Sequence, residues 1–245
     1  MSFATIYAPK IGHCESDSDD AFAIASVRDR SELRFAVSDG ATSSSFSGLW
    51  ATMLTQSFVC DPFLDDEGIV ARRRIEAAKW KATIGGMALP WHARRQAACG
   101  AHATFAGAQV DLRNAPVWRA IAIGDTCVMH VRDGRLVKTF PYTDGAAFDN
   151  YPKLLATSEN YVDLKAAGEI TVAAGEAFPG DVLLLATDAV AKFLLDRSDK
   201  NLSPIFRSLA RIAAKRSFLD AIVDRLRQAG ELSNDDLTAV IVAFL

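Results

Sequence analysis

The chain has 245 residues, half of them apolar and 23% charged, which excludes extensive disorder and allows one sizeable core. Lys and Arg number 27 against 30 Asp and Glu, a net charge of -3, so the chain as a whole presents no polybasic character to nucleic acid or an anionic membrane. No stretch approaches the ~18 uninterrupted apolar residues of a spanning helix, and the N-terminal segment lacks the basic-then-apolar order of a secretory signal; the expected location is the cytoplasm.

In chain order, Phe3 to Ala8 and Ala21 to Val27 are apolar runs of strand length, and "LRFAVSD" supplies a third strand that stops at Asp39. From Phe46 to Val59, Leu49, Trp50, Met53 and Leu54 recur at helical spacing, with the hydroxyls of Ser43 to Ser45 ahead of them as N-caps. A second helix is expected over Glu67 to Ile84, with Arg72, Arg73 and Arg74 read as a solvated face. After the break at Pro90, "GAHATFAGAQVDL" and "VWRAIAIGDTCVMHVRDGRLVKTF" read as strands, and Asp133-Gly134 as the turn of a β-hairpin.

Pro141 to Ala167 reads as a long loop with a short element, the kind of segment that often carries function. Val182 to Ala186 is an expected buried strand feeding a helix. Two more helices are expected near Leu202 to Ala213 and Ser217 to Ala229, and "LTAVIVAF" closes the chain as a strand. Hairpins in succession, with helices grouped rather than alternating with strands, indicate an α+β fold in which antiparallel sheets carry helices, as one domain over 1–245. Cys14, Cys60, Cys99 and Cys127 are scattered, without a C-x-x-C pair or a histidine at zinc-finger spacing, and read as plain thiols.

Acidic residues mark the strand ends: Asp19 and Asp20 before "AFAIAS", Asp39 after "FAV", Asp125 between two strands, Asp188 after "VLLLAT", and Asp235 and Asp236 before "LTAVIVAF". Taken singly, each reads equally as a turn former or a helix cap, Asp188 above all. Gathered at one edge of two packed sheets, they would repel unless protons or a hard cation neutralised them, and Mg²⁺ or Mn²⁺ suits such oxygen donors. Gly40 permits a tight turn that turns its carbonyl to the same place. Two ions sharing a carboxylate and a water would create a hydroxide for attack on phosphorus, which fits a chain with no G-x-S-x-G elbow and no phosphate-cradling glycine loop.

The blocks "GHCESDSDDAFA", "FAVSDGATSSSFSGLWA", "GAHATFAGA", "AIGDTCVMHVRDGRLV", "GDVLLLATDAVAKFLL" and "SNDDLTAVIVAF", in that order, resemble the type 2C metal-dependent protein phosphatases, the PPM family, over nearly the whole chain. The resemblance implies an α-β-β-α sandwich with two Mg²⁺ or Mn²⁺ ions at one end, hydrolysing phosphoserine or phosphothreonine in proteins with a metal-bridged hydroxide. It implies Asp39 as bridging carboxylate, the Gly40 carbonyl on the first ion, and Asp20, Asp188 and Asp235 as further ligands. Asp19 stands where glutamate is usual and would hold a metal-bound water, and Asp125 matches an aspartate that helps hold a third metal in some members.

This chain departs from the family pattern at several positions. Glu15 stands where the family places a phosphate-binding arginine, so Lys192 or Arg28 would have to face the phosphate instead. Ala41 stands where eukaryotic relatives carry a histidine taken as general acid, which leaves a water or His102 for that role. Ala189 replaces a usual glycine, and Lys192 replaces an aspartate used for the third metal, either as a fixed positive charge or as an ordinary helix lysine. The expected partners are a phosphoprotein substrate and, by family analogy, a cognate kinase; the segment 141–167 and the basic helix at Arg72 to Arg74 are the expected selectors of substrate. The alternative is a pseudophosphatase of the same fold that binds without efficient turnover.

Overall fold

The computed structural model describes residues 1–27, 29–148, 152–158, 170–197, 202 and 216–245. Strand β1 (Ser2–Ala8) leads through a one-turn 3-10 helix (Glu15–Asp17) to β2 (Asp20–Ser26) and β3 (Glu32–Asp39). Helices α1 (Ser47–Cys60), α2 (Asp66–Gly85) and α3 (Trp91–Ala97) follow, then β4 (His102–Ala103), β5 (Phe105–Asp111), β6 (Val117–Ile123), β7 (Cys127–Arg132) and β8 (Arg135–Phe140). A second 3-10 turn (Gly145–Ala147), β9 (Leu155–Ala156), β10 (Ile170–Glu176), β11 (Val182–Ala186), α4 (Asp188–Leu195), α5 (Arg216–Gln228) and β12 (Leu237–Ala243) complete the described elements.

Two five-stranded antiparallel sheets, in the orders β1-β12-β11-β7-β8 and β10-β6-β5-β3-β2, carry the fold, with β4 and β9 as a short separate pair. Strand periodicity distributes the core. Phe35, Val37, Val240 and Val242 point between the sheets, where they meet Trp118, Leu183 and Leu185. The alternate residues Ala36, Ile121 and Ile123 face a layer built by Trp50, Leu54 and Phe58 of α1 with Trp80 of α2. On the other side Ala239, Ile241 and Leu184 face Leu194 of α4 and Val223 of α5. Both sheets are therefore covered on both faces, which explains why their central strands read as nearly continuous apolar runs. The layers are α-β-β-α.

The helices expected over 46–59, 67–84 and 217–229 form with ends shifted by about one residue, an ordinary uncertainty for helix termini. The hairpin turn is also as expected: Asp133 and Gly134 both take positive φ, 51° and 75°, between β7 and β8. Four expectations need correction. The serines do not cap α1; its N-cap is Phe46, held at φ 60° and ψ 30°, a left-handed conformation strained for a bulky side chain. Thr187, not Asp188, is the N-cap of α4. Helix α3 and edge strand β10 were not anticipated: α3 buries only Ala97, and β10 buries none of its residues, so neither shows a strong apolar period. Finally, Arg73 is not on a solvated face but buried, donating to the carbonyls of Ala156 and Ser158, both at 2.9 Å. Arg28, most of the helix expected at 202–213 and much of the loop 141–167 lie outside the described residues.

Candidate metal centre at one end of the sandwich

Strand register brings the acidic residues to one end. Asp20 opens β2 directly opposite Asp39, which closes β3. In the other sheet Ala186, closing β11, pairs with Ala239 of β12 and Cys127 of β7, so the Thr187-Asp188 corner, the 235–236 segment and the Asp125 turn meet at the matching edge. The two sheets touch there: the Thr187 hydroxyl donates to Asp20 Oδ2 at 3.1 Å.

Each carboxylate is placed by local chemistry. Asp19 Oδ1 accepts from the Ser47 hydroxyl at 2.8 Å and the Gly48 N–H at 3.2 Å, which ties the start of β2 to the first turn of α1, where a negative charge suits the helix dipole. Gly40 serves by close approach rather than by unusual torsion, because a Cβ there would lie 2.7 Å from the Asp19 carbonyl and 2.6 Å from the Ser47 backbone. Its N–H donates to that same Asp19 carbonyl. Asp188, first residue of α4, accepts from the N–H of Ala189 at 2.6 Å, while Asp235 Oδ1 accepts from the Asp236 N–H at 2.8 Å. Asp125 is buried in the turn after Gly124, whose φ is 82°.

Two residues hold the site together: Asp236, expected at this edge but given no ligand role, and Arg227, which was not singled out. Buried Asp236 accepts the Lys10 N–H on one oxygen at 2.9 Å and the Asp19 N–H on the other at 3.0 Å, joining segments more than two hundred residues apart. From α5, Arg227 donates to the carbonyls of Pro9 at 3.1 Å and Asp235 at 2.5 Å. Only the doubled aspartate in "NDDL" hinted at the first; nothing local marks the second.

The carboxylates raise one another's pKa values. Burial is the largest cause for Asp20, and the charges of Asp236 and Asp188 add to it against the Thr187 hydroxyl, taking it up to about 8. Asp39 is raised well above the ordinary range by burial and then by the charges of Asp20, Asp188, Asp125 and Asp235. Asp188 rises to about 6 through burial and Asp235, against the Ala189 N–H. Such a set of hard oxygen donors, each penalised for its own charge, fits a small divalent cation. Among the described residues no three His, Cys, Asp or Glu side chains already close on one point in coordination geometry, so the donors are assembled at an edge rather than locked into a cage.

The model of the protein phosphatase 2C family matches residues 13–228. The chain belongs to the protein phosphatase 2C family. Solved PP2C-type phosphatases share the fold across their whole length. A serine/threonine phosphatase from S. agalactiae is 13% identical, with a TM-score of 0.56, over 100% of this chain and 99% of that one. The catalytic domain of the serine/threonine phosphatase PstP, in complex with two manganese ions, is 16% identical, with a TM-score of 0.57, over 98% of this chain and 96% of its own. A bacterial serine phosphatase is 11% identical, with a TM-score of 0.61, over 100% and 98%. No curated protein matches the chain.

Against that family pattern, the remaining expected site residues of this PP2C chain divide. Glu15 lies exposed in the first 3-10 turn, its carbonyl accepting from the Tyr7 hydroxyl. Lys192 donates to the Gly145 carbonyl at 2.9 Å and lies 3.5 Å from Asp196, so its ammonium fastens the 145–147 turn onto α4. His102 borders the loop after Gly40, where its carbonyl accepts the Ala41 N–H at 2.9 Å; burial pushes its pKa below the ordinary value, which keeps the ring neutral at pH 7. All four cysteines are free thiols, and burial pushes Cys127 up to about 12. No described helix is long and apolar enough to cross a membrane.

Proposed function

We propose that this chain is a cytoplasmic, Mg²⁺- or Mn²⁺-dependent phosphatase acting on phosphoserine or phosphothreonine in proteins, with two ions held by Asp20, Asp39, the Gly40 carbonyl, Asp188 and Asp235. The observation that carries the reading is the meeting of buried Asp20 and half-buried Asp39 and Asp188 from two sheets, through strand register and the Thr187 hydroxyl, where desolvation and neighbouring carboxylates raise the pKa of each. The two ions seen with PstP support it. When bound, such ions would neutralise the carboxylates, lower the pKa of coordinated water and offset charge on the transferred phosphoryl group.

The chain itself supplies position and proton control. Asp39 and Asp20, paired across β2 and β3, set the centre of the site and are its catalytic carboxylates. Asp19, fixed on Ser47 and Gly48, orients a water at its remaining oxygen. Asp125 stands ready for a further cation. Leaving-group protonation falls to water, since a neutral His102 is a weak acid. Of the cations expected to face the phosphate, Lys192 is engaged by Gly145 and Asp196 and Arg28 lies outside the described residues, so bound ions would supply much of the charge that meets it.

Glu15, Ala41 and Lys192 also favour a second reading, a module of low turnover that binds a phosphoprotein or kinase partner. Hydrolysis of p-nitrophenyl phosphate with Mn²⁺, in wild type and in Asp39→Asn, separates the two. The phosphatase reading expects turnover that the substitution abolishes; equal rates would overturn it, and Mn²⁺ binding without turnover would leave the binding module.

A further inference from the structure

Between Ala71 and Ala101 the chain carries seven Lys or Arg and one acidic residue, Glu76, although acidic residues outnumber basic ones over its whole length. The fold divides these seven cations into two groups. Arg73 is buried on backbone carbonyls, Arg72 pairs with Asp61, and Lys79 pairs with Glu76. Arg74, Lys81, Arg94 and Arg95 are exposed, and none of the ion pairs among the described residues uses Arg74, Arg94 or Arg95. Of the three arginines outside any ion pair among the described residues, two, Arg94 and Arg95, therefore lie beyond the arginine triplet, together on α3.

Helix α3 also carries the largest exposed aromatic of the described residues. Trp91 is 76% exposed, with Met87 on the approach to it exposed as well. Singly exposed apolar residues need no explanation, but an exposed tryptophan flanked by arginines outside any ion pair among the described residues, Arg94 reaching only the Leu89 carbonyl, has the composition of a protein-binding surface.

Its position relates it to the acidic edge. The chain leaves Asp39-Gly40 through residues 41–46, and α3 with β4 walls that loop: the Ser45 hydroxyl donates to Gln96 of α3 at 3.4 Å, and Ala41 donates to the His102 carbonyl. A peptide with its phosphoryl group at Asp20 and Asp39 that crosses Ala41 to Ser45 arrives on α3.

We infer that α3, through Arg94, Arg95 and Trp91, is a docking surface for an acidic segment flanking the phosphoresidue of the protein substrate. This rests on the phosphatase reading and adds a substrate class to it. Only one side of the phosphoresidue leads over Ala41 to Ser45 onto α3, so the preference belongs to that side only. Two arginines beside one exposed tryptophan, on a chain of net charge -3, form no continuous basic track for nucleic acid.

The test uses phosphoserine peptides carrying glutamates on the amino side, on the carboxyl side, or on neither, with p-nitrophenyl phosphate as a substrate too small to reach α3. For wild type at low salt, one acidic peptide should show a KM roughly tenfold below that of the neutral peptide, an advantage that rises in ionic strength erase. The double variant R94E/R95E should lose that advantage with kcat and p-nitrophenyl phosphate turnover unchanged, and Trp91→Ala should raise KM for all three peptides. Equal KM values in wild type, or an undiminished preference in the double variant, would overturn the docking surface while leaving the phosphatase reading intact. Single-stranded RNA binding that depends on Arg94 and Arg95, with no change in peptide KM, would overturn it too. Absence of all turnover in wild type would overturn the phosphatase reading and this inference together.

Discussion

Strand β11 has an aspartate beyond each end, Asp181 buried and Asp188 half-buried, and the two are treated in opposite ways. Asp181, 1% exposed, accepts from His130 Nε2 at 2.9 Å, from Arg132 Nε at 2.9 Å and Nη2 at 2.8 Å, and from the Phe178 N–H at 2.9 Å. Burial pushes its pKa up, but Arg132, Phe178 and His130 more than offset that and bring it down to about 2. At the other end Asp188 joins Asp20 and Asp39, and burial acts in the same direction as the neighbouring charges, so all three rise. The fold can neutralise a buried aspartate, and does so where nothing but stability is at stake. At the Asp20-Asp39-Asp188 edge it gathers charges of one sign instead, an arrangement that suits the proposed divalent cations.

The sharpest way to break this comparison is to exchange the behaviour of its two ends. Asp39→Asn should lower Mn²⁺-dependent hydrolysis of p-nitrophenyl phosphate by about a thousandfold or more, the scale of losing a group that acts only in the transition state and its metal. Melting of the metal-free variant should occur no lower than wild type, since one repelling charge is gone. Asp181→Ala should do the reverse. Leaving Arg132 and His130 without their carboxylate should cost about 3 kcal/mol in urea unfolding, with Mn²⁺ affinity unchanged.

A third substitution tests how the acidic end is held. Asp236→Ala removes the acceptor for both the Lys10 and the Asp19 N–H, so those two amides should exchange faster with solvent. Mn²⁺ affinity should weaken about tenfold, as for other groups that orient metal ligands, with about 1–2 kcal/mol lost in stability.

The smallest expected effect is on pH dependence. Asp188 and Asp20 bind their protons more tightly folded than unfolded, so the stability they contribute is complete below pH ~4 and declines as pH rises through about 6 and then about 8. Asp181 has the opposite sign: its contribution is present above pH ~4 and is lost as pH falls toward about 2. Urea midpoints of metal-free protein across this range should decline at both ends, and saturating Mn²⁺ should flatten only the upper one.

Much of the fold was legible because its determinants are local. "LRFAVSD" alternates as β3 does, "RDGR" contains its own turn, and the pattern around Trp50 gives α1. That the aspartates gather at one edge was legible for a related reason, since a carboxylate adjoining an apolar run must lie at the rim of the core. What stayed hidden depends on partners far along the chain. Nothing local in "GDVLLLA" marks Asp181, because Arg132 lies 49 positions away. Arg73 sits among exposed-looking arginines, yet two carbonyls some 83 to 85 residues later bury it. Strand β10 was missed because small residues disguise it; Gly175 is small because a Cβ there would lie 2.8 Å from the Trp118 ring.

The central claim, that the Asp20-Asp39-Asp188 edge is a two-cation site, is tested most directly by titrating the metal-free protein with Mn²⁺ at pH 7 in a calorimeter, in buffers of different ionisation enthalpy. Two ions should bind with net release of protons, because carboxylates raised toward 6 and 8 must ionise to ligate. No binding, or binding without proton release that Asp39→Asn leaves unaltered, would contradict the account.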